Sequence, residues 1–151
     1  MRMRRLAGVL AAMLVAGQVV AAAQAPVASS LYKRLGGYDA IAAVVDDFFA
    51  RLIADPDLGT FFKAHSTDSN ARTRQLVVDQ LCAATGGPCI YIGRPMKQSH
   101  AGLGITEAQW DKMVVHLKAT LDKFKVGKTE QDELLAATTS LKPDIVESKK
   151  M

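Results

Sequence analysis

Apolar side chains fall at Ile41, Val44, Val45, Phe48, Phe49 and Leu52, a spacing of i, i+3, i+4, i+7, i+8 and i+11. That spacing lays one apolar stripe along a helix. The helix is expected to begin after Gly36-Gly37 and to stop near Asp55-Pro56, because a residue preceding proline is pushed out of helical dihedrals. Trp110, Met113, Val114, Leu117, Leu121 and Phe124 repeat the pattern. Thr106 and Gln109 supply a capping box at the start of this second helix, and Gly127 marks its expected end. Leu134, Leu135, Thr138, Leu141 and Ile145 trace a third helix opening near Thr129, which Pro143 is expected to bend or end. A fourth runs from about Asn70 to Ala84 and meets "TGGP", a strong stop. No segment alternates with period two for long enough to make a strand, so the fold class is all-α.

Two features do not fit a plain helical bundle. Between Thr85 and Thr106 lie five glycines and two prolines, with only a brief helical turn around Arg94 to His100. A long irregular segment in a small domain is usually functional. On the fourth helix, Thr73, Val77, Gln80 and Ala84 share a face flanked by Leu76 and Leu81. Buried polar side chains need partners. Gln80 therefore either bonds a neighbouring carbonyl or lines a pocket whose ligand it contacts.

The N-terminus changes the charge picture. "MRMRR" precedes the uncharged apolar run "LAGVLAAMLVAGQVV" and the small-residue stretch "AAAQAPVA". That order is expected to be a secretory signal peptide over residues 1–23, cleaved before Gln24 and followed by a short linker over 24–30. The competing reading is an uncleaved anchor, for which the run is short. After cleavage no stable membrane span is expected, and the destination is periplasmic or secreted. Lys plus Arg then falls from 19 to 16 as Arg2, Arg4 and Arg5 leave, Asp plus Glu stays at 15, and the net charge drops from +4 to +1. The remaining domain, 31–147 with a polar tail at 148–151, carries no basic cluster with interleaved aromatics, so no nucleic-acid partner is expected. An exported chain permits a disulfide between Cys82 and Cys89, though a buried helix cysteine and a free loop thiol fit the spacing equally.

Three histidines are candidates for chemistry. His116 is out of phase with the Trp110 stripe and is expected to face solvent. His65 stands in the polar loop "FFKAHSTDS", where a distal-ligand role is conceivable. His100 ends the short turn, one helical turn after Met96 and just before Ala101-Gly102. No partner residues stand at triad spacing, and no H-x-x-x-H or H-E-x-x-H pair offers a zinc site. A lone histidine can cap a turn. It can also be the single axial ligand that haem iron requires, since the porphyrin supplies four nitrogens.

The joint pattern distinguishes these. "LYKRLGGYDAIAAVVDDFFARLIADPDLGTFF", then "GGP", then "YIGRPMKQSHAGLGIT" closely resembles the group I truncated haemoglobins, over Leu31 to about Glu147. The resemblance implies a two-over-two helical sandwich holding non-covalent haem b, with His100 as the proximal iron ligand. It implies that Phe62 packs on the macrocycle and that Leu81, Met96, Ile105 and Trp110 give apolar walls. It makes Tyr91, Arg94 and Lys97 candidates for meeting the haem propionates, anions that favour such donors.

Departures from the family pattern bear on function. Phe49 stands where many members have a tyrosine whose hydroxyl hydrogen-bonds the gas ligand. The usual polar positions of the distal helix fall on Thr73 and Val77, which leaves Thr73 and Gln80 as donors. The expected function is reversible binding of oxygen, with NO and CO as further diatomic ligands. The alternative is a nitric oxide dioxygenase or peroxidase-like enzyme on the same site. That enzyme would need an external electron donor, because the chain carries no flavin or nicotinamide motif. A haem-free helical adaptor, with His100 as a cap only, is the third reading.

Overall fold

The computed structural model describes residues 29–147. The expected signal peptide, most of the expected linker and the polar tail lie outside the described residues. Helices α1 (Leu31–Arg34), α2 (Gly37–Ala54), α3 (Thr67–Ala84), α4 (Met96–His100), α5 (Glu107–Lys123), α6 (Lys128–Thr139) and α7 (Lys142–Ile145) follow in order, with a 3₁₀ turn at Leu58–Phe61 between α2 and α3. Among the described residues there is no strand. No helix among them is long and apolar enough to cross a membrane.

The expected stripe of α2 divides between two cores. Ile41, Val45 and Phe49 are buried with Val78 of α3. Val44, on the adjoining edge, packs against Leu117, Leu121 and Leu134 of α5 and α6, and Phe48 touches both cores. One helix thus joins two pairs, α2 with α3 and α5 with α6, and α2 crosses α5 where the pairs meet. This is the two-over-two sandwich. Arg74 fixes the rotation of α3 on α2. It grips Asp46 through Nε at 2.7 Å and Nη2 at 2.9 Å, and reaches the Ala42 carbonyl at 3.3 Å.

Helix ends follow local capping chemistry, and here the structure corrects several expectations. Helix α3 begins at Thr67 rather than near Asn70, because the Ser66 hydroxyl accepts from the Ser69 N–H at 3.2 Å. The capping box at Thr106 and Gln109 forms as expected. Helix α5, however, stops at Lys123, and Gly127 does not terminate it. Lys125 takes the left-handed position (φ 54°), and Val126 N–H reaches back to the Leu121 carbonyl at 3.0 Å, the bond of a Schellman-type end. Gly127 instead caps the start of α6. Pro143 neither bends nor ends α6, which closes at Thr139. It sits in the first turn of α7, where a missing N–H costs nothing.

Two polar clusters brace the frame. Lys123, Arg51 and Thr120 converge on Asp47, with the latter two at 2.7 and 2.9 Å, and hold its carboxyl well below the usual carboxylate range. His116 corrects a second expectation, since it does not simply face solvent. Its side chain is 24% exposed, and its Nε2 donates to Asp55 Oδ2 at 2.9 Å. That bond, with the N–H groups of Leu58 and Asp57, holds the Asp55 carboxyl at about 2. The pair ties α5 to the corner where α2 gives way to the 3₁₀ turn.

Cys82, fully buried at the end of α3, is disulfide-bonded to Cys89. The bridge fastens α3 to the segment that leads into α4. Reduction is expected to lower the unfolding free energy by about 2.5 kcal/mol, the chain-entropy value for so small a loop. Urea midpoints with and without dithiothreitol measure this, and coincident midpoints would show that the bridge contributes nothing.

Candidate functional site

A cavity of about 560 Å³ opens between the two helix pairs. Its size and mostly apolar lining are those of a cofactor site. Val45, Phe48, Phe49 and Leu52 face it from α2, Trp110, Met113 and Leu117 from α5, and Ala137, Thr138 and Leu141 from the C-terminal part. All but Ala137 belong to the stripes read from the sequence, so the periodic positions that make the core also wall the cavity.

Helix α4 brings His100 to the cavity wall. Its ring Nδ1 lies 2.9 Å from the Met96 carbonyl oxygen, one turn back. A carbonyl only accepts, so this contact places the ring proton on Nδ1 and leaves Nε2 as the nitrogen with a lone pair. The preceding loop is held by Tyr91, whose hydroxyl donates to the Arg94 carbonyl at 2.7 Å, and burial pushes the phenol's pKa up. A Cβ at Gly93 would come within 2.3 Å of the Tyr91 ring, so a side chain there would displace the ring from this position.

On the α2–α3 side, Phe49 is 7% exposed and meets Phe62 edge-to-face, with ring centroids 5.7 Å apart. Leu76 and Val77 continue the apolar wall. The Thr73 hydroxyl donates to the Ser69 carbonyl at 3.0 Å, so its one proton is already engaged. Gln80 lines the cavity as well. Its amide is the polar group on this wall whose N–H donors are not taken up by a helix carbonyl.

Of the residues singled out from sequence, His100, Phe49, Phe62, Thr73, Val77, Gln80, Leu81, Tyr91, Arg94, Met96, Ile105 and Trp110 all line this one cavity. Lys97 is exposed and lies outside the lining. His65 does line it, from the segment after the 3₁₀ turn. Sequence reasoning passed over Leu58, Phe61 and the far wall of Leu134, Ala137, Thr138, Leu141 and Ile145. The far wall had a legible signal, since four of its members belong to the apolar stripe of the third helix.

The residues present fit a haem. Among the described residues no group of three or more His, Cys, Asp or Glu could hold a bare metal ion. A single oriented imidazole in an apolar slot suits a metal that arrives with four nitrogens of its own. The surrounding aromatic and aliphatic walls suit a flat macrocycle.

Comparison with known proteins agrees. Residues 30–147 match the family model described as "Bacterial-like globin". The chain is 38% identical over 117 residues to the group 1 truncated haemoglobin GlbN of Mycolicibacterium paratuberculosis, covering 78% of this chain and 84% of that one. It is 32% identical over 118 residues to GlbN of Nostoc commune, covering 78% and 98%. The Fe(III) form of Tetrahymena pyriformis truncated haemoglobin superposes with a TM-score of 0.73 at 28% identity, over 80% of this chain and all of that one. With its paired helices, its cavity and the imidazole that α4 presents to it, the chain belongs to the bacterial-like globins, and among them to the group 1 truncated haemoglobins, whose cofactor is haem.

Proposed function

We propose that this protein is an exported haem-b globin that binds oxygen reversibly, and NO and CO at the same place, with His100 Nε2 as the proximal ligand of the iron. The observation that carries the reading is His100 itself. It lines the apolar cavity with Nδ1 tied back to the Met96 carbonyl, so that the other nitrogen is the one free to bind metal. When bound, haem supplies the iron on which a diatomic gas sits. The protein's own residues orient the imidazole, exclude water through Phe49, Phe62, Leu76 and Val77, and offer the Gln80 amide as a donor. Export is supported by the composition of residues 1–23 and by the Cys82–Cys89 bridge, since disulfides persist in oxidising compartments.

Absorption spectra of the ferric, ferrous and oxygen-exposed protein test this reading together with the intact mass of the exported product. The expected result is a Soret band that shifts on reduction, shifts again on exposure to oxygen and returns on degassing, in a chain that begins at Gln24. A purified protein that takes up no haem on reconstitution sinks the gas-binding reading. A mass that includes residues 1–23 sinks the export.

A further inference from the structure

The helix that carries His100 cannot hold itself in place. At five residues α4 is far shorter than a helix that is stable alone, and its N-cap is Pro95, which supplies no side-chain cap. The turn that follows, Ala101 to Gly104, is exposed. Gly102 and Gly104 both sit at positive φ (80° and 65°), and a Cβ at either would meet nothing within 4 Å, so the glycines answer to backbone conformation and not to crowding. Beyond the Leu103 N–H, which donates to the His100 carbonyl at 3.2 Å, the restraint on this turn comes from the far end of the described chain.

Helix α7 packs on α4, and the segment is fastened at both ends. At its start Lys142 pairs with Glu107 in the first turn of α5. At its end Glu147 makes two bonds. Its carboxylate Oε1 accepts from Gly102 N–H at 2.5 Å, and its own N–H donates to the Ile105 carbonyl at 2.9 Å. These two points bracket the turn directly after His100. Between the fastenings Ile145 reaches the cavity wall. The segment therefore lies as a strap across the element that presents the imidazole.

The geometry points to Glu147 as a positioning residue for His100: its carboxylate pins the Gly102 N–H and thereby fixes the exit of α4, so that the imidazole keeps its aim at the iron. The inference rests on the reading that His100 is the proximal ligand. Glu147 is not among the residues that line the cavity. It acts through the turn.

Glu147→Ala and Glu147→Gln in the full chain test it, with two readouts: the rate of haem transfer to an excess of a scavenging apoglobin, and the iron–histidine stretching band of the ferrous protein in resonance Raman. Loss of a partner that orients a ligand typically costs 10–100-fold in metal affinity. The alanine variant is expected to lose haem about tenfold faster and to show a shifted or broadened band, with unchanged helix content by circular dichroism. In the glutamine variant the amide oxygen still accepts from Gly102, so haem loss is expected within about threefold of the parent and the band at the parent's position. An alanine variant that matches the parent in both readouts overturns the proposal, as does a glutamine variant as impaired as the alanine one. A parent that takes up no haem, or a His100→Ala protein that keeps the parent's iron–histidine band, overturns instead the reading on which the proposal stands.

Discussion

His100→Ala is expected to purify without haem, and imidazole added from solution is expected to restore the Soret band. The cavity offers the iron few other nitrogens. The Arg94 guanidinium is a donor only, and the Gln80 amide nitrogen has no free lone pair. His65 is the one other imidazole in the lining, and it comes from the segment before α3, not from the loop and short helix that present His100. Deleting the ligand itself should exceed the 10–100-fold loss that follows removal of an outer-shell partner, so a fall in haem affinity of more than about 100-fold is expected. Equilibrium haem titration of the two single variants measures it. His65→Ala should retain the pigment, and a His100→Ala protein with parental affinity would refute the assignment.

Phe49→Tyr is expected to slow oxygen dissociation by roughly 5- to 150-fold, the equivalent of one added hydrogen bond of about 1–3 kcal/mol. Phe49 faces the cavity beside Phe62, so a hydroxyl on its ring would project into an apolar space. With ligand bound that hydroxyl gains a partner. Without ligand it lacks one, and an unpaired buried hydroxyl costs about 1–3 kcal/mol. The variant should therefore bind more tightly and, stripped of haem, melt earlier. Stopped-flow displacement of oxygen by CO gives the rate. An unchanged rate would mean that the ligand's hydrogen bond is already satisfied from elsewhere, with the Gln80 amide the first place to look.

Much of this arrangement was legible in the residues. The stripe from Ile41 to Leu52 and its repeat from Trp110 to Leu121 correspond to α2 and α5, because a period of 3.6 survives any tertiary context that buries one face. What escaped was of two kinds. Short elements leave no period to read: α1 spans four residues, capped by Ser30 and tied by Arg34 to Glu130 and Glu133 of α6. Contacts between distant positions leave no local trace either. The helical phase of His116 points it outward and cannot reveal Asp55, 61 positions earlier. Glycine is the usual left-handed residue at a helix end, which points to Gly127 as the α5 terminus, whereas Lys125 fills that position. For the site, a family resemblance located His100, and helical phase placed Thr73, Val77 and Gln80 on the face that proves to line the cavity. The far wall and the Glu147 clamp required the folded chain.

The acceptor behind His100 has a chemical corollary. An imidazole whose outer N–H faces a carboxylate shifts toward imidazolate and pushes electron density onto its metal, which stabilises higher oxidation states and helps to split peroxide. The oxygen behind His100 is a neutral peptide carbonyl, that of Met96, and it exerts no such pull on the proton. As the axial base proposed above, an imidazole of this modest strength would leave ferrous iron comparatively favoured, a bias that would suit carrying a gas intact over breaking its bond.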